Sequence, residues 1–234
     1  MLNLIKYELK GKFLSILGIC LTVIMGNLLL MTKIGSWEIG VPVLSAFLGF
    51  GAIMVMFLSS LTLMSNYLYD DQGYLLFTLP QSGVSILLSR LMAAVIQISI
   101  VASMSLLMFF LVDQERLFNG LLKYVEVHEL LYFILMYLWT IVSTLTFIYF
   151  CMVVGKIALK GKTIGKIGSF IIFLLLSGVR NGLSFLFLNY FPQMVQLHLL
   201  TTITINIGST IFDIIIFAVL LTGTSYLIEH KIDL

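Results

Sequence analysis

The sequence predicts an all-α integral membrane protein with six transmembrane helices, on three observations. The 234-residue chain is 60% hydrophobic and only 10% charged, against about 25% charged residues in an average soluble domain. Its apolar residues gather in uncharged runs, each long enough to supply the roughly 20 helical residues that a ~30 Å bilayer core requires. The few charges fall mostly between those runs. Transmembrane barrel strands would instead alternate apolar and polar positions over ~10 residues, and that pattern is absent. A net charge of +2 is too small to point to nucleic acid.

The helices follow in order. Phe13–Thr32, Ile39–Tyr69, Leu91–Val112 and Leu130–Gly155 carry no charge, and between Ile167 and Ile228 only Arg180 and Asp213 do. This places helices at about 13–32, 41–66, 84–112, 129–155, 166–190 and 206–228, within one transmembrane domain covering 1–234. The first run is read as a retained helix. Three lysines and a glutamate precede it, and no clean small-residue cleavage site follows, as a signal peptide would need. Ahead of it, LNLIKYELKGKF places Leu2, Ile5, Leu9 and Phe13 on one helical face and Lys6 and Lys10 on another. That is the pattern of an interfacial amphipathic helix; the plainer alternative is a charged N-terminal anchor.

Lys and Arg near the span ends set the orientation. With the N-terminus inside, nine basic residues are cytoplasmic: Lys6, Lys10, Lys12, Arg90, Lys156, Lys160, Lys162, Lys166 and Lys231. Only Lys33, Arg116 and Lys123 lie outside. Both termini are therefore expected in the cytoplasm of a multi-pass protein of the cell membrane. The 3–4 connection, with Asp113, Glu115, Arg116, Lys123, Glu126 and Glu129, reads as a solvated extracellular linker rather than a small cap.

Several chemistries find no support. His128, His198 and His230 share no ligand spacing, and neither a Gly-x-Ser-x-Gly elbow nor a His-Glu-x-x-His motif occurs. Cys20 and Cys151 sit inside apolar helices and read as packing residues. Gly155 to Thr163, GKIALKGKT, comes near a phosphate-binding loop, but five residues rather than four separate its glycines. It also leaves a membrane helix, not a strand. A basic loop facing anionic lipid is the better reading, and the chain itself is expected to bind no ATP, metal or other cofactor.

The 2–3 connection, YDDQGYLLFTLPQSG from Tyr69 to Gly83, lies on the cytoplasmic side. Asp70 and Asp71 can cap a new helix and complement its dipole. Gly73 permits a change of direction, Tyr74, Leu75, Leu76, Phe77 and Leu79 form a short apolar element, and Pro80 stops it. Ser82 and Gly83 lead into the third helix, whose Arg90 sits near the cytoplasmic face. A loop this acidic and apolar suits a short helix inserted into a groove on a soluble partner.

The same residues carry a resemblance. Acidic-x-Gly-Tyr-Leu-x-x-Thr-Leu-Pro-x-Ser followed by Ile-Leu-Leu-Ser-Arg-Leu resembles the corresponding loop of ABC-2-type ABC transporter permeases. Asp71 stands at that family's acidic position, doubled here by Asp70. Gly73, Tyr74, Pro80, Ser82 and Arg90 match its Gly-Tyr, Pro-x-Ser and following basic residue. The resemblance implies a six-helix permease subunit with a coupling helix formed by 70–80, docked on a separate ATPase chain that binds ATP and Mg. Two ATPase copies and a second permease, identical or paralogous, complete such an assembly. It further implies that Leu2–Phe13 is a connecting helix. It also sets a short re-entrant hairpin at YFPQMVQLHLLTTITIN, Tyr190–Asn206, against an ordinary extracellular loop. The implied activity is export of amphipathic or hydrophobic substrates, foremost peptides such as phenol-soluble modulins or antimicrobial peptides. A secondary transporter or channel working without ATP is the alternative, although no internal repeat supports it.

Two charges stand inside the spans. At 1.5 Å per residue Arg180 lies about 15 Å from the outer end of the fifth helix and Asp213 about 10 Å from that of the sixth. Each needs a partner at that depth. Either they form an ion pair locking the two helices, or one or both serve the transport path or a subunit seam.

Overall fold

The computed structural model describes residues 2–37, 39–69, 82–113, 127–158, 162–191, 193–198 and 202–230. Six helices run through them: α1 (Leu2–Met31), α2 (Gly40–Tyr69), α3 (Gly83–Val112), α4 (Val127–Ala158), α5 (Lys162–Tyr190) and α6 (Ile207–His230). Each has the length and apolar composition to cross a membrane, as the uncharged runs require, so the chain fits a multi-pass membrane protein. The cores of these helices bear large apolar side chains on their outer surfaces, among them Leu14, Phe47, Leu106, Leu135, Leu175 and Val219. In water such a surface would be a liability; against lipid it is the expected solvent face.

Helices α1, α3 and α4 start before their uncharged runs, and α4 also ends after its run, because hydrogen-bonded helix continues into the flanking polar residues, whereas α2 stays within its run. The largest difference is at the N-terminus. Residues 2–13 form no separate element but the first turns of α1, which passes through Gly11 without a break. No proline occurs in the stretch, and one glycine costs a helix only about 1 kcal/mol relative to Ala. The expected face is also partly rearranged. Ile5, Glu8, Leu9 and Lys12 are half-buried, whereas Phe13 is exposed alongside Lys6 and Lys10.

Between α5 and α6 stands a short antiparallel hairpin, β1 (Met194–His198) and β2 (Thr202–Asn206), with Met194 opposite Asn206 and His198 opposite Thr202. Its alternating Thr202-Ile203-Thr204-Ile205 favours strand over helix. Asn206 fixes the junction with α6. Its side-chain amide donates to the Phe191 carbonyl (2.8 Å), and its Oδ1 accepts from the Ser209 backbone N–H (3.0 Å), an N-cap for α6. At the start of α4, Glu129 is buried rather than solvated, where its charge complements the helix N-terminus.

The chain divides into two compact units. The first comprises Met1–Thr62 and Ser89–Glu126, the second Leu63–Leu88 and Val127–Leu234. In the first, α1 and α2 run antiparallel. Lys12 Nζ donates to Thr62 Oγ1 (3.0 Å), Gly26 meets Leu48, and Ser45 donates to Asn27 Oδ1 (2.6 Å). Small residues and short polar side chains are how apolar helices hold together where lipid competes equally for Leu and Ile. In the second, α4 packs along α5 and α6, with Phe147 against Phe173 and Trp139 against Phe217.

Candidate coupling segment and intramembrane ion pair

Residues 70–81, and with them Asp70, Asp71, Gly73, Tyr74, Leu76, Phe77 and Pro80, lie outside the described residues. Both stems of the segment are described, and each is fixed within the second unit. At the end of α2, Tyr69 is buried. Its hydroxyl lies 3.1 Å from the Met152 carbonyl of α4, to which it donates, and 2.8 Å from Ser169 Oγ of α5. The Lys156 ammonium stands 5.5 Å from the centre of the Tyr69 ring, within cation–π reach. Gly155 makes this node geometrically feasible, since a methyl group there would come within 2.9 Å of the Ser169 backbone.

The other stem is equally close-fitting. The Ser82 carbonyl accepts from the N–H groups of Ser85 (2.9 Å) and Ile86 (3.2 Å), so Ser82 caps α3. A methyl group on Gly83 would sit 2.6 Å from the Ser225 carbonyl of α6, so only glycine permits that approach. Segment 70–81 thus leaves one anchored residue and returns to another.

Arg90, expected merely as a basic residue near the membrane surface, is buried and paired. Its Nη2 lies 3.1 Å from Glu8 Oε1 on α1, with side-chain exposures of 5% and 11%. Sequence reasoning did not single out Glu8, which entered only as the glutamate preceding the first apolar run. The available signal was an acid among Lys6, Lys10 and Lys12, four residues before Lys12, on the same helical face as Leu9 and Ile5.

Arg180 and Asp213 come together. Arg180 Nη2 donates to Asp213 Oδ1 at 2.8 Å, and the guanidinium carbon lies 5.8 Å from the Phe147 ring centre. The side chains keep 31% and 38% of their surface exposed. Among the described residues none in the apolar core of α5 is fully buried, and about a third of the surface of the pair is left uncovered by them.

Residues Gly155 to Ala158 continue α4 and Lys162 begins α5, so described helix flanks 159–161 on both sides where a phosphate loop would need a preceding strand. Cys20 and Cys151 are free thiols. Among the described residues no cluster of His, Cys, Asp and Glu could hold a metal ion. Comparison with protein-family models, with curated proteins and with solved structures finds no match for the chain.

Proposed function

We propose that this chain is the transmembrane permease subunit of an ATP-driven exporter of the ABC-2 type. The observation that carries the reading is the acidic, glycine- and proline-bounded segment between α2 and α3, read together with its two fixed stems. A segment that receives force from a soluble ATPase must be held at both ends, or its movement would dissipate in the loop. The hydroxyl of Tyr69 and the glycine contact at Gly83 support such anchoring. Six apolar helices supply the membrane domain.

In this reading both termini are cytoplasmic, and the cell membrane is the site of action. ATP and Mg belong to two copies of a separate ATPase subunit, and hydrolysis takes place there. A second permease, identical or paralogous, covers the α5 face on which Arg180 and Asp213 stand half-exposed. A charge pair at that depth is poorly matched to lipid. The 194–206 hairpin dips into the outer leaflet, and the first turns of α1 lie at the inner interface. The cargo is amphipathic or hydrophobic, foremost peptides of the phenol-soluble modulin or antimicrobial kind; this choice rests on family analogy.

The test is affinity purification of the tagged chain from its native membrane, followed by reconstitution. An ATPase chain should co-purify, and its hydrolysis should depend on this subunit. Recovery of a transport-competent chain without any ATPase would remove the proposal.

A further inference from the structure

The middle of the first unit contains a polar side chain for which packing gives no reason. Gln97 is midway along α3, has no exposed surface, and neither its amide nitrogen nor its amide oxygen has a hydrogen-bond partner among the described residues. A primary amide in apolar surroundings is costly unless both its donor and its acceptor are satisfied. Gln97 shares its helical face with Arg90, two turns away, and Arg90 reaches Glu8 on α1. Two turns beyond Gln97 the hydroxyl of Ser105, a side chain that packs against Gly49 of α2, is also buried without a partner. At the opposite end Glu8 Oε2 is in the same state.

These orphaned atoms lie at successive levels of the first unit. The contact between Gly49 and Ser105, with the antiparallel pairing of Thr62 to Lys12 and Ser45 to Asn27, brings Gln97 level with Met56 and Phe57 on α2 and with Ile16 on α1. At 1.5 Å per residue Gln97 is ~10 Å from the level of Arg90 and ~12 Å from that of Ser105. Polar side chains therefore recur at intervals of one to two turns from the Glu8–Arg90 pair to the Asn27–Ser45 bond. We propose that the first unit is internally hydrated, with Gln97 as the water-binding side chain at mid-depth and Glu8 Oε2 and Ser105 Oγ as the next water ligands along the file. Water is the ligand that an amide selects when its N–H and its C=O are both unpartnered, because water accepts and donates at once. A metal cation is disfavoured, since the carboxylate among these groups, Glu8, is already matched by Arg90, with Lys12 one turn away on α1. The inference does not depend on the exporter reading.

Met56 makes the proposal measurable. It is fully buried, the Gly49–Ser105 approach sets it at the level of Gln97, and hydroxyl radicals produced by X-ray radiolysis of a water bound there would oxidise a thioether within their short reach. The full chain in nanodiscs is exposed to the beam, with the exposed Tyr7 as internal dose reference. Met56 sulfoxide should accumulate in wild type from the shortest exposures. It should fall severalfold in Gln97→Leu and in the length-matched Gln97→Met, and persist in Gln97→Asn, which keeps the amide. Protection of Met56 in wild type while Tyr7 is modified overturns the proposal without any variant. Equal oxidation of Met56 in wild type and Gln97→Met overturns it too.

Discussion

At the scale of single residues, a charge within the apolar spans is worth what its partner and its cover make of it. Arg180 donates to Asp213 at 2.8 Å, yet about a third of each side chain stays exposed in the single chain. Breaking a fully buried pair costs about 3–5 kcal/mol, whereas exposed pairs contribute about 0–1. For this pair we expect Arg180→Ala to lose about 1–3 kcal/mol, between those limits. Arg180→Leu combined with Asp213→Leu should recover much of the loss, because neither charge is then stranded. Thermal unfolding in detergent measures both, and strict additivity of the single losses would refute the coupling. The pair was legible in the sequence because two lone charges at similar depth on consecutive helices leave few other solutions. Glu8–Arg90 was not. Each stands beside a span in a charged or polar flank, where solvation is the ordinary expectation, and only packing reveals that Arg90 is buried against a half-buried Glu8.

At the scale of elements, the proposed coupling role of segment 70–81 depends on what holds its ends. Tyr69→Phe keeps the ring and removes the hydroxyl that meets Met152 and Ser169. One neutral hydrogen bond contributes about 0.5–1.5 kcal/mol, so the subunit should still insert and accumulate. Transport per ATP hydrolysed should fall if the stem transmits movement. The double variant Asp71→Ala with Tyr74→Ala acts on the segment itself and should instead weaken ATPase association. Normal association together with normal transport in both variants would contradict a coupling role for 69–83. Here the sequence was informative about chemistry and silent about mechanics. Asp71, Gly73 and Pro80 could be read as a docking element, but the fit of Gly83 to Ser225 and of Gly155 to Ser169 depends on partners distant in the chain. The first turns of α1 were misjudged as a separate element for a related reason. Amphipathic pattern signals a face, and nothing in LNLIKYELKGKF compels the helix to stop where the face changes.

At the scale of the whole molecule, six spans were legible because apolar length is a physical requirement of the bilayer and survives any detail of packing. From its own residues the connection at 194–206 was legible only as uncharged, and the hairpin entered as what the resemblance implies, against an ordinary loop. Its strand character follows from alternating Thr and Ile in a stretch too short for a span. Orientation governs the functional reading as a whole, since a segment at 69–83 can meet a cytoplasmic ATPase only from inside. It rests on nine basic residues against three, a difference that the positive-inside bias turns into a direction. In a background with Cys20 and Cys151 replaced by Ala, Gly161→Cys should react with a membrane-impermeant maleimide only in inverted vesicles. Asn119→Cys should react only in intact cells. Only α4 separates the two positions, so labelling of both from the same side would mean that α4 does not cross. Reversal of both would turn the whole chain over, place 69–83 outside, and end the argument for a cytoplasmic ATPase.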